Sequence, residues 1–265
     1  MAPLGRLVYA LLAAFNSSSR NQSSHPSTGG SQYIHSEESV DRQELLHKCF
    51  RQSTKDAFQM SRILQEVDVA AQSREGRPFR VLEIGCGAGH TTINLLMDLF
   101  GEGTIITAVD TDSKMIEQAI SRLHMSKPPQ AHKRVEFINQ SGESLAETMQ
   151  DTFDAVWLRF VTVHVPDAET LVQASVACLK PGGTLLIEDT YTPGTSSLCD
   201  PPCYAHEFFH KLHSQASQKL GGDLTRGFKI GGYLQTIGVE RIQFNTFAPL
   251  FDEHGEREEP ILVAC

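Results

Sequence analysis

The chain has 265 residues, 40% of them hydrophobic, which suits one large α/β domain with an appendage or at most two small domains. A net charge of −9 disfavours proteins that grip nucleic acid, since these need a basic face to neutralise phosphates, and a small or uncharged substrate fits better. Six scattered cysteines are too few for a disulfide framework and favour reduced thiols in the cytoplasm, and the sequence lacks a run of roughly 18 apolar residues that could span a membrane.

Residues 1–36 are interpreted as a flexible leader and lead-in segment. Residues 16–32 are nearly all Ser, Asn, Gln, Gly and Pro, so they cannot bury enough apolar surface to become ordered. Before them, the single cation Arg6 and a short apolar run resemble a weak signal peptide, but no clear small-residue cleavage site precedes Asn16. We therefore expect a cytoplasmic protein, with secretion as the alternative.

Residues 37–75 predict a helical cap. Between Glu37 and Ser73 the apolar residues recur mostly at helical spacing, which indicates one or two helices. We expect these helices to cover part of the domain that follows, residues 76–265.

From Phe79 onward, short apolar runs alternate with helical patterns, as in a doubly wound parallel sheet with right-handed crossovers. The predicted strands are Phe79–Ile84, Thr104–Val109, Arg134–Ile138, Phe153–Leu158 and Thr184–Ile187. The predicted helices are Thr91–Phe100, Ser113–His124 and Ala168–Leu179. Two final strands over residues 238–247 and 260–265 complete an expected α/β, seven-stranded, mostly parallel sheet, with a lid at about residues 196–236.

The first turn between a strand and a helix is rich in glycine: Gly85, Gly87 and Gly89 alternate with other residues. Glycine allows positive φ and leaves no Cβ to block a ligand, and the helix N–H groups then face the bound molecule. Glu83 would repel a pyrophosphate but suits an ammonium group, and Asp110 ends the second strand, where an acid can bind both hydroxyls of a ribose. A ligand with an amino acid at one end and a ribose at the other is S-adenosylmethionine.

Four motifs in this region carry a family resemblance. Val81–Gly89 resembles motif I of class I S-adenosylmethionine-dependent methyltransferases, and Val109–Asp112 resembles the acidic motif that follows it. Phe153–Trp157 and Leu179–Leu185 resemble the fourth-strand motif and the turn before the fifth strand. The resemblance covers residues 79–189 in the right order, and implies the Rossmann-like methyltransferase fold.

The resemblance also implies a set of cofactor residues. Glu83 and the glycine turn would surround the methionine moiety, Asp110 would bind the ribose, and Ser141 stands where many relatives place an aspartate against adenine. The full predicted cofactor set is Glu83, Gly85, Cys86, Gly87, Gly89, Asp110, Thr111, Asp112, Ser141, Gly142 and Arg159.

The candidate acceptor residues come mainly after the fourth and fifth strands and from the lid. His164 is the candidate general base, and the alternative is a partly buried histidine bonded to backbone. Tyr33 belongs to a segment that resembles the lead-in of small-molecule members, in which N-terminal helices fold over the cofactor. The predicted acceptor set is Tyr33, His164, Asp189, Tyr191, His206 and Phe209.

A cluster of cysteines and histidines in the lid invites a metal interpretation. It comprises Cys199, Cys203, His206, His210 and His213. The cysteine spacing departs from the usual two-residue separation, and methyl transfer needs no metal, so we predict none. The competing interpretation is an apolar lid wall that includes Phe209.

These observations predict an enzyme that methylates N, O or S of a small molecule, in a secondary-metabolite context, as a monomer or homodimer without nucleic acid or membrane partners. Because positioning alone can supply roughly 7–11 kcal/mol, no obligatory catalytic triad is expected. Protein or RNA methylation is one alternative. A non-catalytic regulator that retains the fold is another.

Overall fold

A sheet of parallel strands forms the centre of the structure, a computed structural model that describes residues 7–13, 37–61, 63–66, 77–190, 204–239, 241–251 and 257–263. The strands are β1 (Leu7–Ala13), β2 (Phe79–Ile84), β3 (Thr104–Asp110), β4 (Val135–Asn139), β5 (Phe153–Arg159), β6 (Leu179–Thr190), β7 (Arg241–Phe251) and β8 (Arg257–Val263). Their order is β4-β3-β2-β5-β6-β1-β7-β8, and β8 is antiparallel to β7 whereas the other pairs are parallel.

Helices connect and cover these strands. They are α1 (Glu37–Met60), α2 (Met97–Leu99), α3 (Ser113–Ser126), α4 (Pro129–His132), α5 (Leu145–Thr148), α6 (Ala168–Ala177), α7 (Tyr204–Lys219) and α8 (Ile230–Ile237). A π-helical segment, Thr92–Leu96, runs directly into α2, and 3-10 turns occupy Gly142–Ser144 and Arg226–Phe228.

The five parallel strands β4-β3-β2-β5-β6 form the Rossmann-like centre that the alternating sequence pattern predicts. β2 has the bounds expected from the sequence, whereas the fifth predicted strand is longer than expected, because β6 continues through the Pro181–Gly183 turn. Within the described residues the sheet has eight strands rather than the expected seven. The additional strand is β1, an apolar run within the segment interpreted as a leader, which pairs with β6 and β7.

Side chains from the central strands pack on both faces of the sheet. On one face, Val81 and Trp157 pack with Phe58 of α1 in a buried cluster. On the other, Leu82 and Val156 belong to a second cluster that also includes residues of α6 and α8. Because successive strand side chains point to opposite faces, this alternation decides which polar residues at the strand ends face α1.

The strand order reverses between β2 and β5. The chain leaves β2 toward β3 on one side, whereas β5 lies on the other side of β2. In open α/β sheets, ligands bind beyond the carboxyl ends of the strands at such a switch point. The fold therefore directs attention to the residues that follow β2, β3 and β5.

Candidate active site

A cavity of about 700 Å³ opens at this switch point, within the size range of small-molecule sites. All of the predicted cofactor residues except Gly89 line it, and so does His164. Its other walls come from α1, from the segment after β4, from the loop after β5 and from the end of α7. The sequence motifs and the fold thus converge on one cavity.

The glycine turn forms the floor of the cavity. Gly85, Gly87 and Gly89 have φ values of 76°, 53° and 74°, a conformation that favours glycine. The backbone N–H of Gly87 donates to Asp110 Oδ2 at 2.8 Å, which ties the turn to the end of β3. The turn therefore uses the left-handed backbone conformation that its glycines allow.

Glu83 lies at one end of the turn and is 4% exposed. Its Oε2 accepts a hydrogen bond from Thr92 Oγ1 at 2.5 Å. Burial raises the pKa of Glu83 to about 7, against the opposing effects of the Thr92 hydrogen bond and the Arg159 guanidinium. A poorly solvated carboxylate of this kind suits a bound ammonium group, which would stabilise its charged form.

Asp110 is the last residue of β3 and lies beside the turn. Its Oδ1 accepts from the backbone N–H of Asp112 at 3.0 Å, so both carboxylate oxygens are oriented by backbone groups. Burial raises the pKa of Asp110 above its ordinary value, partly offset by those hydrogen bonds. Because each carboxylate oxygen offers two lone pairs, accepting capacity remains for a pair of hydroxyls.

The segment after β4 forms a third wall. Ser141 Oγ donates to Glu143 Oε2, and both residues line the cavity together with Gly142. A Cβ on Gly142 would lie 2.5 Å from Leu171 Cδ1, so this glycine permits close packing of the segment against α6. The predicted adenine side therefore carries a serine–glutamate pair in place of a lone aspartate.

These features fit S-adenosylmethionine. Glu83 can hold the ammonium group, Asp110 the ribose hydroxyls, and the segment around Ser141 the adenine. The glycine turn between them leaves room for backbone approach, since its residues carry no Cβ.

Helix α1 covers the glycine turn through two side chains that are absent from the predicted site. Gln43 Oε1 accepts from the backbone N–H of Ala88 at 3.0 Å. One helical turn later, His47 Nδ1 lies 3.4 Å from Thr91 Oγ1. Polar residues four apart share one helix face, and this spacing is the signal by which they could be found in the sequence.

His90 is a further residue of the site that sequence reasoning did not single out. It follows the glycine turn, lines the cavity and is 3% exposed. Neither ring nitrogen has a hydrogen-bond partner within the described residues. Burial, together with the nearby Arg122, lowers the pKa of His90 to about 4, so its ring is neutral at pH 7.

The loop after β5 forms the rim of the cavity. Phe160 adopts a positive φ of 55°, unusual for a large side chain, and its N–H donates to the carbonyl of Glu188 at 2.7 Å. The chain then turns, with the N–H of His164 donating to the carbonyl of Val161, and His164 reaches the cavity wall. We call residues 160–166 the rim loop.

Arg226 holds the rim loop from below. Its guanidinium donates to the carbonyls of Thr162 and Pro166 at 2.8 Å each, and also to that of Val165. The side chain is 8% exposed. Nothing in the sequence around Arg226 distinguishes it from a surface arginine, and only the fold reveals its role.

The remaining predicted acceptor residues have varied placements. Asp189 does not line the cavity: it is fully buried, and its Oδ2 accepts from Thr162 Oγ1 at 2.5 Å, so the structure gives it a supporting place beneath the rim loop. Tyr33 and Tyr191 lie outside the described residues. His206 and Phe209 belong to α7, and their side chains are outside the described part of the structure.

The described residues include neither a candidate metal site nor a helix that could span a membrane. Within them, no group of three or more His, Cys, Asp or Glu side chains could hold a metal ion. Cys199 and Cys203 of the lid cluster lie outside the described part of the chain. Among the helices the structure describes, none combines the length and apolarity that crossing a membrane requires.

The central motifs are similar in sequence to those of known methyltransferases. The family profile described as a methyltransferase domain matches residues 82–185. The human mitochondrial ubiquinone biosynthesis O-methyltransferase is 36% identical over 116 residues, which are 42% of this chain and 30% of that protein. The ubiquinone biosynthesis O-methyltransferase of Xanthomonas axonopodis pv. citri is 34% identical over 163 residues, 61% of this chain and 62% of that protein. The chain thus spans less than two thirds of either relative.

Among solved structures, a Thermotoga maritima protein is similar over most of its length. It is described as an S-adenosylmethionine-dependent methyltransferase and possible histamine N-methyltransferase. The TM-score is 0.52 at 18% identity, with coverage of 85% of this chain and 90% of that one. At this identity the likeness shows the fold alone.

Proposed function

We propose that this chain, whose residues 82–185 match a methyltransferase-domain profile, is a class I methyltransferase that transfers the methyl group of S-adenosylmethionine to a small molecule. One observation carries the proposal. The buried Glu83 and the half-buried Asp110 flank a left-handed glycine turn in one cavity. This arrangement matches the ammonium and ribose ends of the cofactor.

The acceptor is proposed to enter between the rim loop and the end of α7. His164, Val165 and Leu220 line this side of the cavity. The two ubiquinone biosynthesis relatives are named as O-methyltransferases, which favours an oxygen acceptor over nitrogen or sulfur. The net charge of −9 argues against RNA as the acceptor.

Methyl transfer requires the protein mainly to position the two reactants and to accept a proton from the acceptor. When bound, S-adenosylmethionine supplies an electrophilic methyl group on a sulfonium. His164, at the cavity wall, is proposed to accept the proton of an acceptor hydroxyl, a contribution of about 10²–10⁴-fold. Helix α1 and the rim loop keep water from the reacting groups, and the walls they form hold the acceptor in line.

Calorimetry and a labelled-methyl assay test the proposal together. We expect S-adenosylmethionine to bind the parent protein and to bind Glu83→Gln much more weakly, since the variant cannot neutralise the ammonium group. A panel of phenols, catechols, amines and thiols should then yield labelled product from an oxygen acceptor. His164→Asn should lower kcat while leaving cofactor affinity unchanged.

Two results would contradict the proposal in different ways. Failure of the parent protein to bind the cofactor would remove the methyltransferase assignment altogether. Cofactor binding without transfer to any small acceptor would favour a regulator that keeps the fold, and labelling of protein or RNA in a cell extract would favour a macromolecular substrate. Cytoplasmic location and a monomeric or homodimeric state stay predictions.

A further inference from the structure

Three charged side chains lie near the carboxyl ends of neighbouring strands, on one face of the sheet. Glu83 on β2 pairs in register with Trp157 of β5, and Arg159, two residues after Trp157, pairs with Glu188 of β6. Because side chains two apart on a strand share a face, Glu83, Arg159 and Glu188 all project toward the side covered by α1. We call these three residues the charged row.

Helix α1 contributes a hydroxyl to the charged row. Thr54 Oγ1 donates to Glu188 Oε2 at 2.7 Å and accepts from Arg159 Nη1 at 3.4 Å. Thr54 and Glu188 have no exposed surface. The Arg159 guanidinium also lies 5.3 Å from the centroid of the Phe160 ring. Thr54 therefore bridges the guanidinium and the second carboxylate.

The charged row contains two carboxylates for one guanidinium. Arg159 interacts electrostatically with both Glu83 and Glu188, and Asp110 and the Cys86 thiol are the other titratable groups near Glu83. Buried charges are stable only when paired, so the row has one more carboxylate than Arg159 can neutralise. The position of Arg159 decides which carboxylate is left for a ligand.

We propose that Glu188 is a positioning residue for cofactor binding: through Thr54 it holds Arg159 on the β6 side of the cavity and so leaves Glu83 available to the ammonium group of the cofactor. The inference rests on the proposed function, because it concerns the same site. It assigns a role to a fully buried acid that does not line the cavity and that lies beyond the profile match, which ends at residue 185.

Loss of the Glu188 charge should redirect Arg159. With Glu188→Gln, Glu83 is the only carboxylate of the charged row, and the guanidinium gains most by pairing with it. The ammonium group then competes with an internal cation. We expect Glu188→Gln to weaken S-adenosylmethionine binding about tenfold or more.

Two ligands separate this effect from a damaged cavity. 5′-Methylthioadenosine contains the adenosine but lacks the amino acid, so its affinity should be the same for the parent protein and Glu188→Gln. S-adenosylhomocysteine keeps the amino acid, so it should bind Glu188→Gln more weakly than it binds the parent protein, as S-adenosylmethionine should. A merely structural role of Glu188 would weaken all three ligands alike, and that result would overturn the proposal.

A double-mutant cycle tests the route through Arg159. If Glu188 acts by restraining the guanidinium, Arg159→Met/Glu188→Gln should bind the cofactor no more weakly than Arg159→Met alone, because the competing cation is gone. If the losses of cofactor affinity in Arg159→Met and Glu188→Gln add up in the double variant, the proposal is wrong. Thr54→Val, which removes the bridging hydroxyl at nearly constant volume, should weaken binding in the same direction, and Glu188→Asp should restore part of it.

Proton release gives a readout independent of activity. Glu83 is partly protonated near neutral pH, so an ammonium group placed beside it should expel a proton, measurable by calorimetry in buffers of different ionisation enthalpy. In Glu188→Gln, Arg159 should expel that proton beforehand, and release should vanish. Unchanged release and affinity in this variant would overturn the inference alone, whereas a parent protein that binds no cofactor would overturn the proposed function with it.

Discussion

Gly87 and Gly89 both have a positive φ, yet an added side chain would meet different neighbours at the two positions. A Cβ on Gly87 would lie 2.6 Å from Gln43 Oε1, the end of a flexible side chain on α1. A Cβ on Gly89 would lie 2.9 Å from Ala119 Cβ, and 3.2 Å from Cζ of the Phe137 ring. Gly87 therefore faces the cover of the cofactor site, and Gly89 faces the packed core.

Alanine at these two glycines should separate binding from stability. Gly89→Ala should lower the free energy of unfolding by about 1–3 kcal/mol more than Gly87→Ala, because its methyl group overpacks the contact with α3. Gly87→Ala should instead displace Gln43 and weaken S-adenosylmethionine binding severalfold in a folded protein. Urea unfolding and calorimetry measure the two effects. Equal stabilities, with full cofactor affinity in Gly87→Ala, would contradict this division.

At the scale of the elements, the rim loop is held from two directions. Asp189 accepts from the Thr162 hydroxyl and from the Val163 N–H, at 2.5 and 3.3 Å. Arg226 donates to the carbonyls of Thr162, Val165 and Pro166. A loop with a non-glycine residue at positive φ needs such support, since that conformation is strained.

Removal of the Arg226 guanidinium should loosen the rim loop. Arg226→Met leaves several buried carbonyls without their donor, and we expect a loss of about 2–4 kcal/mol in the free energy of unfolding. Because the rim loop contributes the acceptor side of the cavity, KM for the acceptor should rise more than the Kd for cofactor. Lys229→Met is the control: it removes an exposed lysine that pairs with the partly buried Asp223 in the same region, and it should cost much less than Arg226→Met. Equal effects of the two substitutions would show that Arg226 does not support the rim loop.

The elements also show where prediction from sequence ends. The strand and helix periods, and the spacing of Glu83, the glycines and Asp110, were sufficient to place one wall of the cavity. They could not choose between Glu188 and Asp189, because neighbouring strand residues point to opposite faces and the choice depends on register. Asp189 is predicted at the acceptor, yet the register turns Glu188 toward Arg159 and Asp189 toward the rim loop.

At the scale of the whole molecule, the cofactor site depends on contacts between distant parts of the chain. Gln43 and His47 reach the glycine turn across about 45 residues, and Arg226 reaches the rim loop across about 60. Such contacts have no local sequence signal, so a motif search finds the floor of the cavity and misses its cover. Two buried histidines near the glycine turn, His47 and His90, should make the stability of the whole molecule depend on pH.

The free energy of unfolding of the cofactor-free protein should rise with pH between about 4.5 and 6.5. Burial lowers the pKa of His47 and His90 from 6.5 to about 4, so the unfolded chain binds two protons that the folded protein does not. Glu83, raised from 4.5 to about 7, acts oppositely: the stability it contributes below pH 4.5 is lost as the pH rises through 7. The net difference of one proton corresponds to a slope of about 1.4 kcal/mol per pH unit. Urea unfolding at pH 5.0, 5.5 and 6.0 should show a positive slope that approaches this value toward pH 5, and His47→Gln/His90→Gln should invert it, since only Glu83 of the three is left. A variant with the parent slope would show that neither histidine is neutral because of burial.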